Sequence, residues 1–92
     1  MKGELFNEAV QLACASMGMT GCEVVAITVV DTRSETRLRF NAPTASEQSS
    51  IRATVRAPSG KLQYIEIEAI FWVMDREWEV WDCQVDGALR RD

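Results

Sequence analysis

The sequence predicts an α+β fold, in which an N-terminal helix packs on one face of a curled antiparallel sheet of four to five strands. Residues 2–17 space their apolar side chains three and four positions apart, as an amphipathic helix does. The rest of the chain is rich in β-branched and aromatic residues, which alternate with polar ones between short turns. Residues 61–85 hold all three tryptophans, the only tyrosine and the densest apolar run, so we expect this stretch to organise the sheet.

Size and charge exclude several classes of protein. The 92 residues, 47% of them hydrophobic, fit one globular domain (1–92) with a modest core. The net charge of −4 and the pI near 4.8 argue against general affinity for nucleic acid or for an anionic membrane. No apolar run reaches the length of a membrane span, and acidic residues interrupt the N-terminal stretch where a signal peptide needs an apolar one. We therefore expect a soluble cytoplasmic protein.

The cysteines do not predict a cofactor or a cross-linked scaffold. Cys14, Cys22 and Cys83 are odd in number and lack CxxC spacing, and the chain has no histidine. A disulfide framework and a zinc site are therefore not expected. No glycine-rich phosphate loop or nucleophile elbow is present either. We interpret the three cysteines as reduced, half-buried thiols, and we expect no cofactor and no metal.

The predicted helix covers residues 2–17. One broad stripe of apolar side chains should lie across the sheet. Its members are Leu5, Phe6, Ala9, Val10, Leu12, Ala13 and Met17. Gly18 is a natural C-terminal cap, because glycine enters the left-handed conformation without a steric clash at Cβ.

Two strands are predicted next, at residues 22–30 and 35–41, with a turn at 31–34 between them. The first is β-branched throughout and apolar on both sides, which indicates that both of its faces are at least partly covered. The second alternates cleanly. Its predicted inward side chains are Leu38 and Phe40, and its outward side chains are Arg37 and Arg39. Residues 42–50 have the composition of a mobile loop.

A third strand at residues 50–57 should pair with the next strand through a turn at 58–60, where glycine favours positive φ. A three-residue loop sets the register. The predicted pairs are Ala57 with Lys61, Ala53 with Ile65, Arg52 with Glu66, and Ile51 with Ile67.

The last two predicted strands, 61–74 and 77–85, form a hairpin. A two-residue loop at Asp75 and Arg76 would place Val73 opposite Trp78, and a longer loop would shift this register. Alternation then defines a core face and a second face. The core face carries Ile65, Ile67, Ala69, Phe71, Val73, Trp78 and Val80; the second carries Tyr64, Glu66, Glu68, Ile70, Trp72, Met74, Glu77, Glu79, Trp81, Cys83 and Val85. Residues 86–92 read as a polar tail that frays.

A single helix cannot cover both faces of such a sheet, so one face, here called the open face, is left without a helix. We predict the binding or interface residues on this face. They are Arg37, Arg39, Arg52, Arg56, Tyr64, Glu66, Glu68, Ile70, Trp72, Met74 and Trp81. Tryptophan, tyrosine and arginine dominate binding energy at protein interfaces, and an exposed apolar patch with a polar rim usually marks a contact surface. The alternative is that Trp72 or Trp81 lies under the 42–50 loop as part of the core.

The order of these elements resembles a known group of small domains. A helix followed by a curled antiparallel sheet, with the closing stretch IEIEAIFWVMDREWEVWD, is similar to the cystatin-like and nuclear-transport-factor-2-like α+β domains. The resemblance spans most of the chain in outline and implies a dimer formed through the open face, or a site for a small hydrophobic ligand. The extra helices of the larger members are missing here. The catalytic members use an Asp–His pair or a polar cluster, and without histidine that chemistry does not transfer.

Two other kinds of chemistry are conceivable on the open face. Glu66 and Glu68 share a face and, with Asp82 near the rim of the core face, could perform acid–base catalysis if burial kept one protonated. The arginines could bind phosphate or a nucleic-acid strand, with the aromatic side chains as stacking platforms. For the carboxylates we favour a solvated edge of the sheet, with Arg52 as the partner of Glu66, and for the arginines cross-strand ion pairing, since the surrounding charges are mixed.

The sequence therefore predicts a non-enzymatic binding or accessory module. We expect a homodimer through the open face, with a protein partner or a small apolar ligand bound, and neither nucleic acid nor membrane as a partner. The first alternative is a small cone-type isomerase or hydrolase that uses carboxylates. The second is an acidic inhibitor protein encoded on a mobile element.

Overall fold

The computed structural model describes residues 2–86 and contains one helix and four strands. The elements are α1 (Lys2–Ser16), β1 (Glu23–Arg39), β2 (Ala42–Arg56), β3 (Leu62–Trp72) and β4 (Glu77–Asp86). The strands form one antiparallel sheet in the order β1-β2-β3-β4, and α1 packs on one face of it. The predicted α+β class is confirmed, with four strands in an open sheet among the described residues. Residues 87–92, most of the predicted tail, lie outside them.

The first hairpin is longer than predicted. The expected strands at 22–30 and 35–41 are one strand, β1, and the expected loop at 42–50 belongs to β2. Pairing continues without interruption from Asp31 with Ser50 to Arg39 with Ala42. The prediction was wrong because polar composition indicates a loop only where the backbone lacks partners, and here every residue faces a neighbouring strand. Serine hydroxyls add further bonds: Ser46 Oγ donates to the Glu35 carbonyl at 2.9 Å.

A two-residue turn joins β1 to β2. Phe40 and Asn41 have φ values of 54° and 64°, the left-handed conformation that two-residue hairpin turns require. Asparagine adopts it readily, whereas a bulky residue such as phenylalanine does so at a cost. The sequence interpretation placed Phe40 inside a strand and therefore missed this turn.

The end of α1 confirms the predicted cap. Gly18 has φ of 76°, the Met19 N–H donates to the Cys14 carbonyl at 2.8 Å, and the Gly18 N–H donates to the Ala15 carbonyl at 3.0 Å. This pair of bonds defines a Schellman motif, which ends the helix at Ser16 and turns the chain back along it.

The core lies between α1 and the two central strands. Helix residues Ala9, Val10, Ala13 and Cys14 are almost fully buried. They face six sheet residues, which are Ile51, Ala53, Val55, Ile65, Ile67 and Ala69. The predicted β2–β3 register is confirmed, including the turn with Gly60 at φ of 93°.

An aromatic group extends this core toward β4. The Trp78 ring lies 5.5 Å from that of Phe6 and 5.1 Å from that of Phe71, measured between centroids. The Trp78 Nε1–H donates to the carbonyl of Leu5 at 2.9 Å, which fixes the N-terminal half of α1 to β4.

The last hairpin has a four-residue loop, residues 73–76, instead of the predicted two. Trp72 therefore pairs with Glu77, and Phe71 with Trp78. The loop is longer by an even number of residues, so the faces of the first β4 residues remain as predicted. Met74 lies in the turn and not on the sheet face.

A β-bulge at Trp81 reverses the prediction for the rest of β4. One extra residue in a strand moves every later side chain to the other face. Beyond the bulge the pairs are Glu68 with Asp82, Ile67 with Cys83, and Ile65 with Val85. Cys83 and Val85 thus lie on the helix face and Asp82 on the open face, each opposite to its predicted side.

Helix coverage also explains two wrong predictions on β1. A 15-residue helix spans about 22 Å, half of the 44 Å that the protein measures along its longest axis, so α1 cannot follow the 17-residue strand β1 to its end. Leu38 and Phe40, expected inward, are 75% and 85% exposed. Val25 and Val30, expected to be partly covered, are 45% and 54% exposed. Bulges of β1 lie at these two valines, between Val24 and Ala26 and between Val29 and Asp31.

Candidate functional site

The open face brings most of the predicted site residues together in two groups. Near the two hairpin turns, Arg37, Arg39, Trp72 and Trp81 form what we call the arginine–tryptophan cluster. Toward the other end of the face lie the charged residues and the tyrosine, which are Arg52, Arg56, Tyr64, Glu66 and Glu68. Ile70 lies beside the cluster, and Met74 lies off the face in the β3–β4 turn.

Arg39 covers Trp72. The Arg39 guanidinium carbon lies 4.7 Å from the centre of the Trp72 ring. Its Nη1 donates to Asp75 Oδ2 at 2.5 Å and its Nη2 donates to Glu77 Oε1 at 3.0 Å, so two carboxylates of the second hairpin hold it in place. The indole Nε1–H of Trp72 donates to Glu79 Oε1 at 2.9 Å. Trp72 is consequently only 4% exposed.

Arg37 reaches from β1 to Trp81 on the opposite edge of the sheet. Its guanidinium carbon lies 4.7 Å from the centre of the Trp81 ring. Its Nη2 donates to Gln48 Oε1 at 2.6 Å and contacts Glu35 Oε1 at 2.7 Å. The buried Nε of Arg37 has no hydrogen-bond partner. Trp81 itself remains 49% exposed, so one part of its surface is free for a contact.

The predicted exposed apolar centre is therefore mostly covered. Ile70 is fully buried and Trp72 is nearly so. The prediction that these two residues belong to an exposed patch was therefore wrong. The alternative is right that Trp72 is buried, but residues 42–50 are part of strand β2 and not a covering loop. Arg39 covers Trp72, because a guanidinium plane stacks on an aromatic face while its edges stay hydrogen-bonded.

At the other end of the face the arginines pair with carboxylates. Arg52 lies 3.7 Å from Glu66, and Arg56 lies 3.4 Å from Glu23. These pairs are at least partly exposed, and such pairs contribute about 0–1 kcal/mol each. Arg39 also pairs across strands, with Glu77 of β4, whereas Arg37 pairs with Glu35 of its own strand, so cross-strand ion pairing holds for three of the four predicted arginines.

The carboxylates of the catalytic alternative lie on one face. Glu68 is directly opposite Asp82 in the ladder and accepts a hydrogen bond from Ser50 Oγ at 2.6 Å. Glu66 has Arg52 as its partner. Among the described residues, no group of three or more cysteine or acidic side chains has the geometry to hold a metal ion.

The sequence analysis missed an apolar surface at the ends of the two hairpins, which we call the apolar tip. Its members are Leu38 (75% exposed), Phe40 (85%), Val73 (39%), Met74 (78%) and Trp81 (49%). Leu38, Phe40 and Trp81 line an open groove of about 750 Å³ beside the arginine–tryptophan cluster. Asn41 was the signal that could have revealed the tip, since asparagine after a strand residue marks a left-handed turn.

Comparison with known proteins gives no match, whether to a family model, to a curated protein or to a solved structure. The resemblance to the cystatin-like and nuclear-transport-factor-2-like domains stays a prediction. Within residues 2–86, no helix has the length and apolar character needed to cross a membrane.

Proposed function

We propose that the protein is a non-enzymatic binding module that acts as a homodimer, with a second copy docked on the apolar tip and its groove. The observation that carries this proposal is Phe40, a bulky residue in a left-handed turn with 85% of its side chain in solvent. The dimer would serve as an accessory protein that holds a protein partner or a small apolar ligand.

Phe40 lowers the stability of an isolated protomer for two reasons. The left-handed conformation costs a residue other than glycine about 1–2 kcal/mol. The exposed ring also forgoes the burial that normally stabilises phenylalanine in a fold, and its ring lies beside the Arg39 guanidinium at 5.1 Å. Strained residues cluster at contact sites, and most of the Phe40 side chain stays in solvent, so we assign Phe40 the role of an interface anchor.

The groove and its anchor lie side by side on the same protomer, which suits a two-fold dimer. The same surface of both copies forms the contact in such a dimer, and every contact occurs twice. Each Phe40 can therefore enter the groove of the partner copy. The rim combines Arg37 and Arg39 with Glu79, and a surface of mixed charge can be its own electrostatic complement.

The exposed area of the apolar tip is of the order that a dimer interface needs. A buried aromatic side chain removes about 150–250 Å² from water, so the five exposed side chains of the apolar tip present on the order of 500 Å². A standard interface buries about 800 Å² per partner, and the polar rim of the groove can supply the rest.

The strand edges are less suitable for self-association. Both edge strands carry bulges, at Val25 and Val30 in β1 and at Trp81 in β4. Bulges interrupt the regular row of hydrogen-bonding groups, and the regular stretch of β1 from Asp31 to Arg39 carries charged side chains; both features discourage edge-to-edge pairing. A contact through the apolar tip avoids this obstacle.

Light scattering at micromolar concentration tests the proposal. We expect the unsubstituted protein to have the mass of a dimer. Phe40→Asn keeps a residue that tolerates the left-handed turn and removes the anchor, so we expect a folded protein whose dimer dissociation constant rises by about 30-fold or more, equal to about 2 kcal/mol.

Leu62→Gln is the matched control, because Leu62 is an exposed apolar residue (42%) that pairs with Arg56 at the opposite end of the sheet from the apolar tip. This variant should remain a dimer. A monomeric unsubstituted protein, or a Phe40→Asn variant that dimerises as before, would contradict the proposal.

The catalytic alternative can be tested independently of dimer formation. Glu66→Gln and Glu68→Gln should leave both folding and dimer mass unchanged if the face is a binding surface. Loss of a turnover activity in these variants would instead favour the enzyme.

A further inference from the structure

An open groove of about 670 Å³ lies between α1 and the start of β4. Residues of α1 form one wall, and Arg76, Glu77 and Trp78 of the second hairpin form the other. We call it the helix groove. It lies on the helix side of the sheet, whereas the groove of the apolar tip lies on the open face, so the proposed dimer leaves it unused.

The helix and β4 run in the same direction along the helix groove. The Trp78 Nε1–H donates to the carbonyl of Leu5 near the start of α1, and the Cys83 Sγ lies 3.4 Å from Ser16 Oγ at the end of α1. Arg76 precedes Trp78 in the chain and therefore lies at the N-terminal end of α1. The two ends of the helix groove are thus different.

Apolar surface lies along the helix groove. Leu12 lies outside the core and is 46% exposed, although the amphipathic pattern of α1 predicts it inward. Trp78 is half-buried, and its one polar atom is already bonded to the Leu5 carbonyl, so it offers the groove only the apolar part of its ring. Apolar grooves with a polar rim are the sites that receive the apolar stripe of an amphipathic helix.

The helical wall also carries negative charge in a regular order. Glu4, Glu8 and Leu12 are four positions apart, so they follow one another along one side of α1. Both glutamates are exposed, and neither has an ion-pair partner among the described side chains. Glu77, by contrast, is bonded to Arg39. The two helical carboxylates are therefore available to basic side chains of a partner.

Positive charge lies at one end of the helix groove. Arg76 is exposed and lies in the second hairpin turn with φ of 55°. A cation is favourable beside the C-terminal end of a helix, where the last carbonyl groups carry partial negative charge. A helix in the groove would therefore place its C-terminal end at Arg76 and run antiparallel to α1.

We propose that the helix groove binds an amphipathic helix of a partner protein, antiparallel to α1, with two basic side chains four positions apart that pair with Glu4 and Glu8. The apolar stripe of this helix covers Leu12 and Trp78. This helix would belong to the protein partner of the proposed accessory role, on which the inference rests, and its site is separate from the dimer contact.

The spacing along α1 sets the length of the contact. Residues four apart on either helix are about 6 Å apart along its axis, so both ion pairs can form at once. Glu4 to Leu12 cover about 12 Å, or about two turns of a partner helix. The contact is small, and we expect a dissociation constant on the order of 10–100 µM.

Two labelled peptides test the site by fluorescence anisotropy. Each has about 18 residues, which is long enough to form a helix, and an amidated C-terminus. The lysine peptide has leucines alternately three and four positions apart, and lysines four positions apart beside this stripe. In the glutamate peptide, glutamates replace the lysines. We expect the protein to bind the lysine peptide about tenfold or more tightly than the glutamate peptide, since repulsion replaces attraction at two positions.

Reversing the charge of the helical wall is the decisive change. The double variant Glu4→Lys, Glu8→Lys should prefer the glutamate peptide, a gain of binding that an unfolded protein could not show. Leu12→Gln should weaken the binding of both peptides by about fivefold, because apolar contact is lost. A lysine peptide with a free C-terminal carboxylate should bind more tightly than the amidated one, and Arg76→Gln should remove this difference. Equal affinity of the two forms for the unsubstituted protein would overturn the antiparallel orientation.

The double variant Glu23→Lys, Asp31→Lys is the matched control. These carboxylates lie on β1, are 72% and 54% exposed, and give the same change in net charge. This variant should keep the preference for the lysine peptide. Equal affinity of the unsubstituted protein for the two peptides, or a control that changes preference as the groove variant does, would overturn the proposal.

Light scattering on the same variants separates the helix groove from the dimer. Glu4→Lys, Glu8→Lys should keep the mass of a dimer, and Phe40→Asn should keep the preference for the lysine peptide. Peptide preference in a monomeric unsubstituted protein would contradict the dimer alone. A dimer with no peptide preference would contradict the helix groove alone.

Discussion

Removing the Arg39 side chain should destabilise the protein far more than removing an ordinary surface arginine. Arg39 stacks on Trp72 and bonds to Asp75 and Glu77, which ties the end of β1 to the second hairpin. Its side chain is only 19% exposed. Arg39→Ala therefore breaks several contacts at once and uncovers the tryptophan.

The expected loss in the free energy of unfolding follows from these contacts. A partly desolvated cation–π contact contributes about 1 kcal/mol, and the two ion pairs contribute about 0.2–1 kcal/mol each. Uncovering about 50 Å² of the Trp72 ring adds about 1 kcal/mol. We expect Arg39→Ala to lower the free energy of unfolding by about 2–4 kcal/mol. Arg39→Lys keeps the charge but loses the planar stack and the forked bonds, so it should recover less than half of that loss.

Urea denaturation, followed by tryptophan fluorescence and by circular dichroism, measures the change. Arg33→Ala is the control, since Arg33 is 68% exposed and pairs only with its near neighbour Asp31 among the described residues. The control should stay within about 0.5 kcal/mol of the unsubstituted protein. Acrylamide quenching of the folded Arg39→Ala variant should also increase. If Arg39→Ala were as stable as Arg33→Ala, the arginine would not be what covers Trp72.

Three other substitutions test the described geometry by the same denaturation assay. In Gly18→Ala the new Cβ would have no atom within 4 Å. We therefore expect the free energy of unfolding to fall by about 1 kcal/mol, from the left-handed backbone alone. Gly21→Ala has the same backbone strain, and its new Cβ would lie 3.2 Å from Pro58 Cγ, so it should cost more than Gly18→Ala; an equal cost would contradict the tight contact. Trp78→Phe removes the indole donor to the Leu5 carbonyl, which keeps its bond within the helix, so it should cost about 0.5–1.5 kcal/mol; full stability would mean that this hydrogen bond is dispensable.

The elements that the sequence predicts well are those whose pattern is local. The position of α1, the cap at Gly18 and the β2–β3 register follow from periodicity and turn chemistry within a few residues. In the predicted stripe of α1, Leu12 was wrong, because it is 46% exposed. The turn at Phe40 and Asn41 was missed because the strand-like alternation of Leu38 and Phe40 concealed it. The faces of Cys83 and Val85 were wrong because a bulge has no sequence signature of its own.

Some features of the candidate site could likewise be predicted from the sequence, and others could not. Alternation alone placed Arg37, Arg39 and Trp72 on the open face, and the structure brings them together there. That Arg39 buries Trp72 could not be predicted, because it depends on how a side chain of β1 crosses the intervening strand β2 to reach β3. The exposure of Leu38 depends likewise on the length of α1 relative to β1, a relation between elements that no local pattern contains.

The order of the strands has a consequence for how the chain folds. Each strand pairs with its neighbour in sequence, so the sheet can assemble hairpin by hairpin with short loop closures. Docking of α1 on β4 is the exception, since Trp78 and Leu5 are 73 positions apart. That contact closes almost the whole chain into one loop and bears the largest entropic cost of any in the fold. We infer that the sheet forms first and that the helix joins it last, so the Trp78 indole would report the final step.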